Sequence, residues 1–280
     1  MKTIIKNFLN TLPRATQERV FYNENLLNAW YVKFFSKKDT WLSSNKNSYK
    51  GKRLFLLATG PSLNNVDLTL LKDEYTMGVN GIYKISNDIG LNFFITVSSF
   101  YYKNNIKGIN ELRVDRCFIP KKLKKTFNLK SDVSYMNVIY PKYRIDNEFS
   151  KRTVPFDFST HPDEYIYAGG TVIFLALQIA IYLGFKEIIL LGLDHNYADL
   201  KNSSDKSYQS SNFDKSHFDS SYHSPNTDVH VDLDAMERGY ELAKYHASKS
   251  KVNIINATEN SKLNVFKKRR VMDYIRGDKC

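Results

Sequence analysis

The stretch Gly169-Gly-Thr-Val-Ile-Phe-Leu-Ala-Leu-Gln-Ile-Ala-Ile-Tyr-Leu-Gly-Phe-Lys-Glu-Ile-Ile-Leu-Leu-Gly-Leu-Asp194 decides the fold. Gly169, Gly170 and Thr171 open an apolar segment, Val172 to Leu183, long enough for a helix, and Gly184 supplies its C-terminal cap. Glu187 to Leu191 is apolar, too short for a helix, and reads as a strand running into Gly192-Leu-Asp-His-Asn-Tyr197. Similar short apolar runs lie on either side. Arg53 to Ala58, Tyr75 to Val79 and Phe93 to Val97 read as strands, as does Val252 to Asn256. Residues 133–139 are a weaker candidate strand, and residues 232–249 form a second long helix. Apolar strands alternating with helices predict an open α/β fold, a Rossmann-like, mostly parallel sheet with helices on both faces.

Ligands of such sheets bind beyond the carboxyl ends of the strands. That rule gathers four loops: Thr59–Leu63, Asn80–Gly81, Ser98–Ser99 and Gly192–Tyr197. The predicted layout is a helical, basic extension over residues 1–50, a catalytic domain over 51–260, and a basic tail over 261–280. In the extension Ile4, Ile5, Phe8, Leu9 and then Leu26, Leu27, Trp30, Tyr31 and Phe34 fall at helical spacings. Residues 195–230 are rich in Ser, Asp, Asn, Tyr and His; so long a connection reads as a lid or a disordered insert.

Composition narrows the function classes. The chain has 280 residues, 42% of them apolar and 25% charged, which excludes a fibrous or disordered protein. Its apolar runs are too short to span a bilayer, and Met1 to Phe8 lacks the pattern of a secretory signal. With two cysteines, Cys117 and Cys280, in no metal-type spacing, neither a disulfide scaffold nor a zinc site is expected, and a cytoplasmic address follows. The net charge is +12, and residues 1–53 carry eleven basic and three acidic side chains. A polyanionic partner, a membrane surface included, accounts for such ends, and so does solubility alone.

Several residues carry possible chemistry. Thr59-Gly60-Pro61-Ser62 is a tight turn leading toward a helix, where backbone amides attract phosphate, and Gly170-Thr171 repeats that geometry. The turn lacks the Gly-Lys-Ser/Thr signature of a P-loop. His195, His217, His223 and His230 lie close in sequence without the spacing of familiar metal sites, so no metal is expected. One imidazole among them suffices for a general base. Asn80 before Gly81 also suits an ordinary turn. His161 and His246 read as surface residues.

Tyr222-His-Ser-Pro-Asn-Thr-Asp228 resembles the His-Ser-x-Asn-Thr-Asp element of bacterial CMP-sialic-acid-dependent sialyltransferases that decorate lipooligosaccharide. Ala58-Thr-Gly-Pro-Ser-Leu63 resembles their Gly-Asn-Gly-Pro-Ser-Leu turn, and Val79-Asn-Gly-Ile-Tyr83 their Cys-Asn-x-Phe-Tyr. Ala180 to Asp194 resembles their helix–strand unit ending in Gly-Ile-Asp. Together these span roughly residues 52–260. Gly169-Gly170 and Asn256-Ala-Thr-Glu259 resemble a wider superfamily that links flagellin nonulosonate transferases with hydroxymethylpterin diphosphokinases.

The resemblance implies an inverting, metal-independent transferase with no cofactor besides its CMP-sugar donor, and with a cell-surface glycan or glycolipid as acceptor. His223 would be the general base, and Asn80 would bind the nucleotide phosphate or ribose. Thr59 to Ser62 would line the CMP pocket, with Gly192, Asp194 and His195 beside the cytidine and ribose. Tyr197, then Tyr208 and Tyr222, would stabilise the leaving phosphate. Thr59 stands where the family has Asn, Ser98 or Ser99 must replace a second Asn, and Tyr167-Ala-Gly-Gly-Thr171 replaces Arg-x-Thr-Ser-Gly. The last change implies a different nonulosonic or ulosonic acid on the donor. Homo-oligomers are a further implication. Two other readings stay open. Magnesium-dependent pyrophosphate transfer to a pterin would draw on Asp194, Asp199, Asp228 and Asp232. A non-catalytic nucleic-acid binder is the other, disfavoured because the basic residues sit at the ends of the chain.

Overall fold

A computed structural model describes residues 13–97, 99–140, 143–145, 148–150, 157–197, 207–210 and 214–275. In chain order the main elements are helix α1 (Arg14–Phe35), strands β1 (Arg53–Leu57), β2 (Tyr75–Val79) and β3 (Phe93–Ile95), and helix α2 (Ser99–Glu111). Strands β4 (Arg116–Pro120) and β5 (Val133–Met136) follow, then helix α3 (Val172–Leu183), β6 (Glu187–Leu191), helix α4 (Leu233–Lys249), β7 (Asn253–Asn256) and β8 (Lys267–Lys268). The eight strands make one sheet in the order β8-β7-β6-β1-β2-β3-β4-β5. Every neighbouring pair is parallel.

The chain moves outward from β1 to β5, then crosses back and lays β6 on the other side of β1. The strand order therefore reverses between β1 and β6, which is where open α/β sheets bind ligands. Alternation along these strands divides their side chains between two cores. Leu54, Leu56, Ile188 and Leu190 join α3 on one face, while Phe55, Leu57, Ile189 and Leu191 pack on the other. Burial on both faces explains why these strands read as continuous apolar runs. Helix α3 is buried almost all round, its N-terminus capped by the Thr171 side chain and its C-terminus by Gly184 at φ +91°. A Cβ on Gly184 would lie 2.8 Å from Asn47 Cα, so close packing demands glycine as well.

The structure differs from expectation in four places. The Thr59–Ser62 turn enters a five-residue 3₁₀ turn, Pro61–Asn65, not an α-helix. Residues 133–139 split, because Val138–Ile139 leave the sheet to pair with Ile166–Tyr167. The start of the expected basic tail joins the body: Leu263, Val265 and Phe266 are buried, and they carry the charged pair Lys267–Lys268 into the sheet as its edge strand. Nor does the body begin at Gly51. Leu42 is fully buried, and Trp41 packs edge-on against Phe93 and Phe118. Ile4, Ile5, Phe8 and Leu9 lie outside the described residues. Among the described residues, no helix is long and apolar enough to cross a membrane.

Candidate functional site

A cavity of about 560 Å³ opens at the β1/β6 switch point. The loops after β1 (Ala58 to Gly60), β2 (Val79, Asn80) and β6 (Gly192 to Tyr197) line it, together with Val97 beyond β3. The start of α3, the α4 side chains Met236 and Tyr240, and residues between Ser216 and His223 complete the wall.

The loops after β1 and β6 are locked together. The Gly60 amide donates to the Gly192 carbonyl at 2.7 Å. Ser62 donates twice to Asp194, from its amide to Oδ1 at 3.2 Å and from its hydroxyl to Oδ2 at 2.8 Å. A Cβ on Gly60 would come 1.9 Å from Asp194 Oδ2, and one on Gly192 would come 2.6 Å from Leu63 Cγ. These glycines thus allow two strand ends to touch. The expected phosphate-binding amides of the turn are spent internally: Gly60 on Gly192, Ser62 on Asp194 and Leu63 on the Gly60 carbonyl, while Pro61 has none. Neither Pro61 nor Ser62 lines the cavity, whereas Thr59, Gly60, Gly192 and Asp194 do. Burial pushes the Asp194 carboxyl up, and the Ser62 hydrogen bonds oppose that.

Asn80 turns the chain at the end of β2 with φ +45°, a conformation Asn tolerates better than most residues. Its Oδ1 accepts from the Thr96 hydroxyl at 2.9 Å. The buried Tyr222 hydroxyl meets the side chains of Asn80 and Thr59; burial raises its pKa and those hydrogen bonds oppose the rise. Tyr222 lies between two rings, stacked on His217 with centroids 3.7 Å apart and on Tyr101 of α2 at 4.5 Å. His223 stands edge-on to both Tyr222 and His217, at 4.9 and 5.2 Å. Burial, reinforced by the nearby His217 and opposed by Asp214, lowers His223 to about 4. Its imidazole is therefore neutral at physiological pH.

Asp214 holds His217 in place. Its Oδ2 lies 2.9 Å from His217 Nδ1, and its Oδ1 accepts from the Ser216 amide at 2.9 Å. Burial pushes this carboxyl up, but His217 and the Ser216 amide together bring it down. The described part of the expected lid is here a wall. The Phe218 amide donates to the Thr59 carbonyl at 2.8 Å, Asn64 donates to the Phe218 carbonyl at 3.1 Å, and Lys84 pairs with Asp219. Residues 207–209 pair antiparallel with 228–230.

The opposite wall explains the glycine pair. Gly170 has φ +78°, and a Cβ there would sit 3.3 Å from the α4 backbone. A Cβ on Gly169 would strike Phe174 at 2.5 Å. Thr171 caps α3 and also hydrogen-bonds Tyr240, whose pKa burial raises. His195, at φ +53°, contacts Glu237 at 3.1 Å; burial lowers its pKa and Glu237 opposes that. Tyr197 lines the cavity, its hydroxyl 3.8 Å from Met236 Sδ, and burial raises its pKa. Tyr208 instead packs behind, with Val229 and Val231.

Of the sequence candidates, the cavity brings together Thr59, Gly60, Asn80, Gly170, Thr171, Gly192, Asp194, His195, Tyr197, Tyr222 and His223. Ser98 lies outside the described residues. Sequence reasoning missed Tyr101, Tyr240 and the Asp214–His217 pair. The i, i+3 spacing of that pair was its one available signal. Among the described residues, Asp214, His217 and His223 are the group whose possible metal-ligating atoms all lie within 4.8 Å of one another. Both Asp214 oxygens take part in hydrogen bonds, Oδ1 with the Ser216 amide and Oδ2 with His217, which orients that ring.

Fold and cavity together define an α/β protein, its central sheet parallel, with a crevice at the switch point of that sheet. The model of the family described as 6-hydroxymethylpterin diphosphokinase MptE-like matches residues 33–200, and the chain belongs to that family. Among solved structures, it is similar to the sialyltransferase CstII from Campylobacter jejuni, determined in complex with a substrate analogue, cytidine-5'-monophosphate. That likeness has 15% identity and a TM-score of 0.41, covering 78% of this chain and 85% of that one. A search of curated proteins finds no match.

Proposed function

We propose that this protein is an inverting glycosyltransferase. It moves a sialic acid or a related nonulosonic or ulosonic acid from a CMP-activated donor to a hydroxyl of a cell-surface glycan. One observation carries the reading: a neutral, half-buried imidazole, His223, stands edge-on to Tyr222, whose hydroxyl meets Asn80 and Thr59, in the switch-point cavity. The chemistry asks for little more. A CMP-linked keto-sugar already has a stable anion as leaving group, and its transition state has oxocarbenium character. Neutral hydroxyl and amide donors offset the developing phosphate charge. His223 takes the acceptor proton, and attack on the face opposite the phosphate inverts the anomeric carbon. The acceptor oxygen forms the new glycosidic bond as the bond to the CMP phosphate breaks, and CMP leaves; in this reading hydroxyl and amide donors take the place of a Lewis-acid metal.

Pyrophosphoryl transfer, the activity in the family's description, is the second reading. Magnesium takes oxygen ligands, commonly one or two carboxylates with substrate phosphates. The described carboxylates near the cavity are dispersed. Asp194 is tied to Ser62, Asp214 to His217 and the Ser216 amide, Asp228 is exposed, and Asp232 caps α4 through the Ala235 amide. Asp199 lies outside the described residues. That dispersal favours glycosyl transfer.

The test is CMP release from a panel of CMP-activated acidic sugars in EDTA, with His223→Ala as control. Release that depends on His223 and ignores EDTA supports the reading and names the donor. ATP turnover that requires magnesium, without CMP release, replaces it with the second.

A further inference from the structure

Helix α1 is fastened to the body by one narrow side. Asn25 is buried, and Ala29 and Val32 pack against the main core. Leu26, Leu27, Trp30, Tyr31 and Phe34 turn the other way, each between 44% and 66% exposed. At 3.6 residues per turn these five occupy an arc of about 140°, opposite Ala29 and Val32. Their rings also contact one another: Trp30 lies 4.9 Å from Phe34, and Tyr31 lies 4.8 Å from Phe35. Away from α1, the exposed large apolar side chains among the described residues are Leu70 and Tyr245, each isolated. A contiguous apolar face of this kind marks an interaction site, whereas scattered apolar residues do not.

Charge identifies the occupant. Lys33, beside the Leu26 edge of that arc, and Lys37, just beyond the helix, are both exposed. Residues 1–53, which include α1, carry eleven basic and three acidic side chains. Tryptophan and tyrosine over a rim of lysines match the boundary between acyl chains and anionic headgroups. A second copy of α1 would bring an equally basic rim against this one. We propose that the outward face of α1 docks on an anionic phospholipid bilayer. The docking does not depend on the transferase reading.

Flotation of the full chain with vesicles tests this, comparing phosphatidylcholine alone with phosphatidylcholine containing phosphatidylglycerol. The expected result is flotation with the anionic vesicles only, weakened by salt, with a blue shift in Trp30 emission that Trp30→Phe removes. Leu27→Glu/Phe34→Glu should lower binding at least tenfold while leaving the melting temperature and CMP release in solution unchanged. Should that variant fold poorly, Lys33→Glu/Lys37→Glu on the rim should show the same loss. Absence of flotation with anionic vesicles, or equal flotation of both variants, overturns the proposal. So does a dimer of the native chain that Leu27→Glu/Phe34→Glu makes monomeric. Flotation without any CMP release would leave the docking standing and remove the transferase reading instead.

Discussion

The imidazole of His217 lies flat on the phenol of Tyr222, with centroids 3.7 Å apart and planes 3° from parallel. Asp214 fixes His217 from one side, and Tyr101 closes the stack from the other. The Tyr222 hydroxyl is thereby aimed at Asn80 and Thr59. Removing that hydroxyl leaves the stack intact, so Tyr222→Phe should keep its fold and lower the transfer rate by about 10²-fold. A melting curve beside single-turnover rates checks both halves. An unchanged rate would make Tyr222 a packing residue.

His223 gives a pH signature. Held down to about 4 by burial, it stays neutral where an ordinary histidine, at about 6.5, would charge. The acid limb of kcat/KM, which reports the free enzyme, should therefore fall near 4. Once the anionic donor binds, its charge favours the imidazolium, so the acid limb of kcat should lie higher. Stability follows the same sign. The unfolded chain takes this proton first, so His223 makes the fold lose stability as pH falls from about 6.5 toward about 4, with the contribution fully present above that window. Urea midpoints at pH 4.5 and 7.5, native against His223→Ala, measure it; an equal pH response in both would remove His223 as the source.

The sheet was open to reading because Leu54–Leu57 and Ile188–Leu191 are too apolar for any place but the centre of a parallel sheet. With those strands placed, the strand-end rule delivered Asn80 and Asp194. The Asp214–His217 pair was not legible. It lies in a polar stretch without periodicity, and it reaches Tyr222 because Phe218 bonds to Thr59 and Lys84 pairs with Asp219. The edge strand Lys267–Lys268 was hidden for another reason: its own side chains are charged, and its position comes from the buried Val265 and Phe266 before it. The internal bonding of the Thr59–Ser62 turn was not legible either, because its amides, exposed in principle, find Gly192 and Asp194 only in the folded chain.

The lock between the β1 and β6 loops should be stability-critical. A Cβ on Gly60 meets Asp194 Oδ2 at 1.9 Å and the Gly192 carbonyl oxygen at 2.5 Å. Relief requires moving a strand end, so Gly60→Ala should cost about 1–3 kcal/mol by overpacking. Denaturant midpoints read this directly, and a loss below a few tenths would mean that the loops separate freely.

Asp194 separates positioning from chemistry. Retention of anomeric configuration would need a nucleophilic carboxylate, and Asp194 is the strand-end candidate for that role. Its Oδ2 accepts the Ser62 hydroxyl and its Oδ1 the Ser62 amide, an arrangement that holds a loop. Asp194→Asn keeps the shape and one acceptor, so it should weaken donor binding severalfold and leave an inverted product. Ser62→Ala, which removes one of the same bonds without touching the carboxylate, should reproduce part of that KM effect, with kcat nearly unchanged. Product configuration by NMR, alongside the two KM values, decides the matter. A retained anomer, or an Asp194→Asn enzyme devoid of turnover beside a healthy Ser62→Ala, would turn Asp194 from a brace into the nucleophile.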